Sequence, residues 1–110
     1  MSNKTYRGFS TRAIHTGHDP FANHGALNPP VYMNATFAFE STRQGQQRFL
    51  GEEPGYVYSR VGNPTETVLE EKLADLEGGE AALAVASGMG RQFQRSSNSP
   101  LILPLNVVMM

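Results

Sequence analysis

Tyr58 and Arg60 stand two positions apart in a stretch of sequence without helical spacing. In an extended segment, residues i and i+2 project from the same face, so a phenol hydroxyl and a guanidinium can reach one point. Arg presents a fork of N–H donors that matches phosphate oxygens, and Tyr adds one neutral donor. Tyr56 lies on the same face in this interpretation. An ordinary strand edge explains the spacing too, and spacing alone favours that plainer interpretation.

A second candidate anion site is the Gly-rich turn that contains Ser87, Gly88, Met89 and Gly90. Glycines after a buried strand allow backbone N–H groups to converge on an anion, and a helix that begins there adds the positive end of its dipole. A plain strand-to-helix turn would have the same composition. The Ser-Gly-x-Gly pattern is therefore weak evidence when taken alone.

Other kinds of reactive site are poorly supported by the sequence. The chain has no Cys, and His15, His18 and His24 lack the helical i, i+4 spacing of a metal site. A nucleophilic Ser elbow is not expected, because no Gly-x-Ser-x-Gly motif occurs and Ser87 follows Ala86. We therefore expect neither a metal centre nor a Ser triad.

The element that must position the first candidate site is a helix predicted over about 64–77. Asn63 can cap it, Pro64 suits the first helical position, and Glu66 favours the dipole. The glycines at 78–79 end it as a left-handed cap. Its apolar stripe, at helical spacing, consists of Val68, Leu69, Leu73 and Leu76.

The element that must position the second candidate site is a strand predicted over 81–86. A short continuous apolar run bounded by glycines is typical of a strand buried on both faces of a parallel sheet. The Gly-rich turn then lies at its carboxyl end. Beyond Gly90 the composition changes: residues 91–100 are mostly polar, and 101–110 are apolar with no usable helix or strand signal.

The first 62 residues are predicted to form an extended N-terminal arm with one or two short turns, because Gly and Pro interrupt any helical period. One short helix is expected over 41–49, capped by Ser41. Such an arm cannot bury its own apolar groups, so we expect it to dock on a partner subunit rather than remain a disordered tail. The apolar residues concerned are Phe9, Ile14, Phe21, Val31, Tyr32, Phe37 and Phe39.

Composition excludes several classes of partner. A chain of 110 residues is one domain or part of one, and its formal net charge of −1 gives no basic excess for nucleic acid or an anionic membrane. The apolar run near the end is far shorter than the roughly 20 residues of a spanning helix. The lack of Cys and of an apolar leader suits the cytoplasm.

Several motifs follow one another in a fixed order: Thr11-Arg12-Ala13-Ile14-His15-Thr16-Gly17, Gly25-Ala26-Leu27-Asn28-Pro29-Pro30-Val31-Tyr32, Ala35-Thr36-Phe37-Ala38-Phe39, Tyr58-Ser59-Arg60-Val61-Gly62-Asn63-Pro64-Thr65, Leu76-Glu77-Gly78-Gly79-Glu80-Ala81 and Ala86-Ser87-Gly88-Met89-Gly90. Together they resemble the Cys/Met-metabolism (transsulfuration) pyridoxal phosphate enzymes over about residues 9–90. The methionine γ-lyase branch resembles the chain most, and cystathionine γ-lyase, cystathionine γ-synthase and O-acetylhomoserine sulfhydrylase share most of these motifs.

The resemblance implies an α/β fold: an N-terminal arm plus the first helix and strand of an aminotransferase-like (fold type I) pyridoxal phosphate enzyme, incomplete in this chain. The cofactor implied is pyridoxal 5'-phosphate. Tyr58 and Arg60 match the family residues that hold its phosphate from the neighbouring subunit, and the Ser87, Gly88 and Met89 turn matches the one that supplies backbone N–H groups in the same subunit. Residues 63–90 then begin the large cofactor-binding domain of a homo-oligomer, expected to be a homotetramer.

The resemblance also shows what this chain lacks. The family's carbon–sulfur lyase chemistry on sulfur amino acids needs a Lys that forms a Schiff base, and neither Lys4 nor Lys72 matches it. We therefore expect this chain to be inactive alone. Two alternatives remain open: a binding module that docks on an intact family subunit, and an unrelated small phosphate-binding domain.

Residues 91–110 are interpreted as a divergent tail. The family continues here with Gly-Ala-Ile-Ser-Ala. If the codons for Ala-Ile-Ser-Ala are GCA ATT TCA GCG followed by A, reading one base later gives Gln-Phe-Gln-Arg, which is the sequence at 92–95. A shifted frame with an early stop is one hypothesis for this segment. A genuine unusual C-terminus, or chance over four residues, is the alternative.

Overall fold

The computed structural model describes residues 8–87, Met89, and the backbone of a strand at 105–109. Its elements form a small α/β unit in which one helix packs on a two-stranded sheet and a shorter helix packs on that helix. In chain order they are α1 (Phe9–His15), a 3-10 helix (Pro20–Asn23), α2 (Thr42–Phe49), α3 (Pro64–Leu76), β1 (Ala81–Val85) and β2 (Leu105–Met109).

Helix α3 begins and ends as its sequence predicts. The side chain of Asn63 accepts a hydrogen bond from the Thr65 N–H at 2.9 Å, which satisfies one of the unpaired donors of the first turn. At the other end Gly78 adopts φ +65°, a conformation that favours glycine. The N–H groups of Gly78 and Gly79 donate to carbonyls of the last turn at 3.2 and 2.8 Å, a Schellman arrangement.

Strand β1 confirms the strand predicted after α3, and β2 pairs with it in parallel. The register runs from Ala81 opposite Leu105 to Val85 opposite Met109. The sequence interpretation placed no strand in residues 101–110 and therefore missed β2. A short apolar run without alternation does not reveal a strand by itself, because its pairing with β1 is a contact far along the sequence.

The arm is less extended than predicted, because helix α1 and the 3-10 helix lie within it. Helix α1 is fixed by contacts with α3: Lys72 Nζ donates to the carbonyls of Ala13 and Ile14 at 3.0 and 2.7 Å, where the end of α1 leaves acceptors unpaired. Arg12 Nη1 donates to the Asp75 carbonyl at 2.9 Å. Since these contacts are distant in sequence, local spacing could not predict the helix.

Helix α2 confirms the short helix predicted after Ser41. The hydroxyl of Ser41 accepts from the Gln44 N–H at 3.1 Å, and the helix ends at Phe49. Its one buried residue, Gly45, lies against Phe39, where an added Cβ would come within 2.9 Å of the ring.

The apolar core is small in the part of the chain that the structure describes. Only Ala74 of α3 and Ala84 of β1 are buried apolar residues there, at 8% and 7% exposure. The strand predicted to be buried on both faces is thus mostly half-exposed. The larger apolar residues of α3 and β1 are also only half buried, as expected for an incomplete sheet: Leu69, Leu73, Leu76, Leu83 and Val85. No helix among the described residues is long and apolar enough to cross a membrane.

Candidate functional site

The segment that carries Tyr58 is held by a short antiparallel pairing with the arm. Thr36 and Tyr58 form the bridge. The Ser59 N–H donates to the Ala35 carbonyl at 2.8 Å, and the Phe37 N–H donates to the Val57 carbonyl at 3.2 Å. This pairing places Tyr58 at the end of an extended stretch, immediately before the chain turns toward α3.

Tyr58 and Arg60 come together through a turn and not through an extended strand. The N–H groups of Val61 and Gly62 both donate to the Tyr58 carbonyl, at 2.9 and 3.1 Å. The turn brings the guanidinium carbon of Arg60 to 5.1 Å from the centroid of the Tyr58 ring. A cation over an aromatic ring is stabilised by about 0.5–1 kcal/mol at exposed sites. The predicted juxtaposition is observed, although the predicted backbone conformation was wrong.

Tyr56 does not extend this pair. Its hydroxyl donates to Thr67 Oγ1 at 2.9 Å, and its ring lies 5.4 Å from the Phe37 ring. Tyr56 therefore joins the bridge segment to α3. The turn at 58–62 explains the difference, because the i, i+2 rule holds only in extended backbone.

Arg60 differs from Arg12 and Arg48, which both form ion pairs. Arg12 pairs with Asp75 at 3.3 Å, and Arg48 pairs with Glu53 at 3.7 Å. Within residues 8–87, Arg60 has no carboxylate partner within salt-bridge distance, and its side chain is exposed. A guanidinium held over an aromatic ring, with its charge unpaired, is chemically suited to binding an anion.

The second predicted half of the site follows strand β1, which packs on α3. Glu70 Oε1 of α3 accepts from the Ala84 N–H of β1 at 2.8 Å. Strand β1 ends at Val85, two residues before Ser87.

The remaining residues of the Gly-rich turn are described only in part. Met89 is 73% exposed. Ser87 is exposed. The prediction for Gly88 falls outside the described residues.

Burial shifts the ionisation of three side chains on α3. Desolvation raises the pKa of Glu66 in the first turn, with the charge of Glu70 as a smaller cause. Desolvation also raises the pKa of Glu71 and lowers the pKa of Lys72. Lys72 contacts the end of α1 through two hydrogen bonds, so its ammonium lies at a helix–helix contact and not beside Tyr58 or Arg60.

Two other features lie apart from the predicted site. The described residues contain no group of three His, Cys, Asp or Glu side chains placed to hold a metal ion, and the ring of His18 bonds instead to the Ala26 carbonyl at 2.7 Å. A cleft of about 920 Å³ lies between residues 12–32 and α3. Its lining includes none of the predicted site residues.

Sequence reasoning missed a cluster of polar contacts behind the turn. Asn63 was predicted only as a helix cap, but its side-chain amide also donates to the Tyr32 carbonyl and to Ser59 Oγ, both at 3.0 Å. The signal available in the sequence was the nearness of Ser59 to a cap residue. The Tyr32 contact spans 31 positions and has no local signature.

The chain matches a family model described as Cys/Met metabolism PLP-dependent enzyme over residues 10–98. It is 58% identical over 83 residues to the L-methionine gamma-lyase of Pseudomonas putida, a match that covers 76% of this chain and 21% of that protein. It is 49% identical over 86 residues to the homocysteine/cysteine synthase of Saccharomyces cerevisiae, covering 76% and 19%.

Solved structures show the same fold. A Campylobacter jejuni protein described as an O-acetylhomoserine (thiol)-lyase, with an N'-pyridoxyl-lysine-5'-monophosphate group, superposes with a TM-score of 0.63 at 24% identity, covering 96% of this chain and 32% of that one. The metB protein of Corynebacterium glutamicum superposes with a TM-score of 0.57 at 25% identity, covering 94% and 31%. The chain spans about a fifth of the length of the curated relatives it matches.

Proposed function

The chain belongs to the Cys/Met metabolism PLP-dependent enzyme family, and on that premise we propose that it is the cofactor-phosphate-binding segment of a carbon–sulfur lyase acting on sulfur amino acids. The proposal rests on one observation above all: the guanidinium of Arg60, which has no carboxylate partner within residues 8–87, lies over the ring of Tyr58. The 58% identity to the L-methionine gamma-lyase of Pseudomonas putida favours γ-elimination. Synthesis or lysis of cystathionine and sulfhydrylation of O-acetylhomoserine are the alternatives.

The donor set fits pyridoxal 5'-phosphate through its phosphate group. Arg60 offers a charged fork and Tyr58 a neutral hydroxyl, both exposed and adjacent. Ser87, Gly88 and Met89 are proposed to offer backbone N–H groups to the same kind of anion. When bound, the cofactor supplies an electron sink for bond breaking in an amino acid. In this proposal the chain's own residues bind and orient the phosphate.

The two halves of the phosphate site belong to different subunits in this proposal. Residues 1–62 dock on a neighbouring subunit and bring Tyr58 and Arg60 to its cofactor, whereas Ser87, Gly88 and Met89 serve the cofactor of their own subunit. Exposed apolar side chains along the arm support docking: Phe21 is 87% exposed, Leu27 86% and Met33 92%. We propose a homotetramer in the cytoplasm as the working assembly.

The 110-residue chain is proposed to bind the phosphate without catalysing the reaction. Lys4 and Lys72 are its only lysines. The ammonium of Lys72 donates to the carbonyls at the end of α1. A lysine that attacks a cofactor aldehyde needs a free amine beside that cofactor instead. Without a Lys beside the cofactor, no residue of the chain can link to it and carry protons in the reaction.

A titration with pyridoxal 5'-phosphate tests this proposal. The chain should retain the cofactor's absorbance through dialysis, and pyridoxal without the phosphate should not be retained. Borohydride should not reduce the cofactor onto the chain. The Arg60→Ala variant should lose affinity and the matched Arg43→Ala variant should keep it. Equal retention of the two ligands, or equal loss in both variants, would contradict the proposal.

A second candidate function is that of a binding module for an intact family subunit. The exposed apolar side chains of the arm favour it, because they offer a docking surface even without a complete sheet. Co-expression of the tagged chain with a full-length relative tests it directly. A stable complex that withstands washing supports the module, and no complex at micromolar concentrations argues against it.

A further inference from the structure

Asn63 is the most fully bonded polar side chain beside the proposed phosphate site. It is buried, at 9% exposure. Its Oδ1 accepts from the Thr65 N–H at 2.9 Å, and its Nδ2 donates to the Tyr32 carbonyl and to Ser59 Oγ, each at 3.0 Å. One amide therefore joins three separate pieces of chain: the start of α3, the arm and the turn.

Ser59 is held on further sides. Its hydroxyl donates to the Asn34 carbonyl, and its N–H donates to the Ala35 carbonyl at 2.8 Å. Ser59 lies between Tyr58 and Arg60 in the chain, so fixing it restricts where both side chains can point. The hydrogen bonds of its side chain go to Asn34 and Asn63, and not to Tyr58 or Arg60.

The arm is fixed to the same point from its other side. The Tyr32 N–H donates to Thr65 Oγ1 at 2.9 Å, while the Tyr32 carbonyl accepts from Asn63. Both backbone polar groups of Tyr32 are thus bound to the first residues of α3. The turn at 58–62 and the arm segment at 32–35 can shift only together with the start of that helix.

We propose that Asn63, acting through Ser59, is a positioning residue that holds the Tyr58–Arg60 turn in the arrangement that receives the cofactor phosphate. This inference rests on the proposed function of Tyr58 and Arg60. It goes beyond it by assigning the orientation of that pair to a side chain that does not touch the ligand. Capping of α3 and clamping of the turn are separate roles of the same amide, carried by different atoms.

The Asn63→Asp substitution separates the two roles. An Asp is equally suited to cap a helix through Oδ1, and its charge is favoured at a helix N-terminus. The second carboxylate oxygen cannot donate, so the bond to the Tyr32 carbonyl is lost and two oxygens face each other there. The Ser59 hydroxyl can reach that oxygen only as a donor, which costs its bond to the Asn34 carbonyl. Asn28→Asp is a matched control, because Asn28 is exposed and receives the same change of charge.

Hydrogen exchange on the full 110-residue chain, followed by mass spectrometry, measures the clamp without any ligand. In Asn63→Asp the amides of residues 57–62 should exchange roughly tenfold faster, because the bond to the Tyr32 carbonyl is replaced by a contact between two oxygens and Ser59 cannot keep both of its present bonds. Amides of residues 66–77 should be unchanged. Ser59→Ala, which cannot disturb the cap, should give the same faster exchange. Unchanged exchange over 57–62 in Ser59→Ala and Asn63→Asp would overturn the clamp.

A titration with pyridoxal 5'-phosphate measures the positioning role. Asn63→Asp should raise the dissociation constant for pyridoxal 5'-phosphate roughly tenfold in the native chain. It should have no further effect in the Arg60→Ala variant, because Asn63 acts through Arg60. Equal effects in both backgrounds would overturn the positioning role. If the native chain shows no preference for the phosphate ligand while exchange over 57–62 still responds, the proposed function fails and the clamp stands.

Discussion

The guanidinium carbon of Arg60 lies 5.1 Å from the centroid of the Tyr58 ring, and both side chains are exposed. This pair is formed by a turn whose two N–H groups donate to the Tyr58 carbonyl. The turn leads directly into the cap of α3. The geometry therefore links the helix start, which the sequence predicts well, to the charged group that is proposed to bind a phosphate.

The first prediction is that the 110-residue chain does not catalyse γ-elimination. Its only lysines are Lys4 and Lys72, and the latter is bound to the end of α1. Incubation with methionine and pyridoxal 5'-phosphate should release no 2-oxobutyrate above a blank without protein. Release that disappears when the cofactor is removed would show that a catalytic group has been overlooked.

The second prediction concerns folding of the isolated chain. Its described apolar core comprises two alanines, and the leucines between α3 and β1 are only half buried. One helix layer cannot cover both faces of a parallel sheet. We expect a broad heat-absorption peak of low enthalpy in calorimetry, with part of the apolar surface open to a hydrophobic dye. A sharp transition from a monomer at low concentration would contradict this.

The third prediction is that Asp75 keeps α1 on α3. Its carboxylate accepts from Arg12 Nη1 at 3.3 Å and from Thr16 Oγ1 at 2.7 Å. Since these groups are partly exposed, Asp75→Ala should weaken docking by about 1 kcal/mol, which is roughly fivefold in local opening. Hydrogen exchange over residues 9–17 measures it, and the exposed Glu77→Ala is the control. Equal exchange in both variants would show that Lys72 suffices.

The fourth prediction follows from the raised pKa of Glu71, which desolvation causes. The folded chain binds this proton more tightly than the unfolded chain, so the contribution to stability is present at low pH and is lost as pH rises through the folded pKa. Glu71→Gln should therefore retain more helix signal than the native chain in urea at pH 7. Below the ordinary value of 4.5 the two should converge.

The control for that pH dependence is the exposed Glu52→Gln, measured by the same far-ultraviolet circular dichroism. It removes the same charge far from α3. If Glu52→Gln raises the helix signal as much as Glu71→Gln, the effect comes from net charge and not from burial of Glu71.

Local chemistry explains which parts of the fold could be predicted. Asn63 and Gly78 define the ends of α3, and Ser41 starts α2, each through contacts within a few residues. Helix α1 depends on Asp75 and Lys72, roughly 60 positions away, and β2 depends on pairing with β1. Such contacts leave no periodic signal in the sequence.

The candidate site shows the same division. Tyr58 and Arg60 were paired through the resemblance of their motif, because spacing alone favours an ordinary strand edge. The turn that joins them could not be predicted. The second role of Asn63 was hidden because Tyr32 is 31 positions away. Residue types and the order of motifs thus indicated which residues to consider, whereas their arrangement in space required the fold.

The central claim is that Arg60 binds the phosphate of a cofactor held by another subunit. Residues 10–90 can replace the matching segment of the Pseudomonas putida L-methionine gamma-lyase, which is 58% identical to this chain over 83 residues. In that full-length protein, Arg60→Ala should raise the dissociation constant for the cofactor roughly tenfold or more, because a charge-assisted hydrogen bond is lost. Arg12→Ala and Arg43→Ala should change it less.

The most direct measurement mixes two inactive subunits of this full-length protein: one carrying Arg60→Ala, the other lacking the cofactor-linking Lys. Each site borrows Arg60 from its neighbour in our proposal, so the subunit with an intact Lys receives a native Arg60 from the Lys-less partner. Mixed assemblies should then release 2-oxobutyrate from methionine, whereas neither parent does. Mixed assemblies as inactive as both parents would contradict the claim that Arg60 acts across the interface.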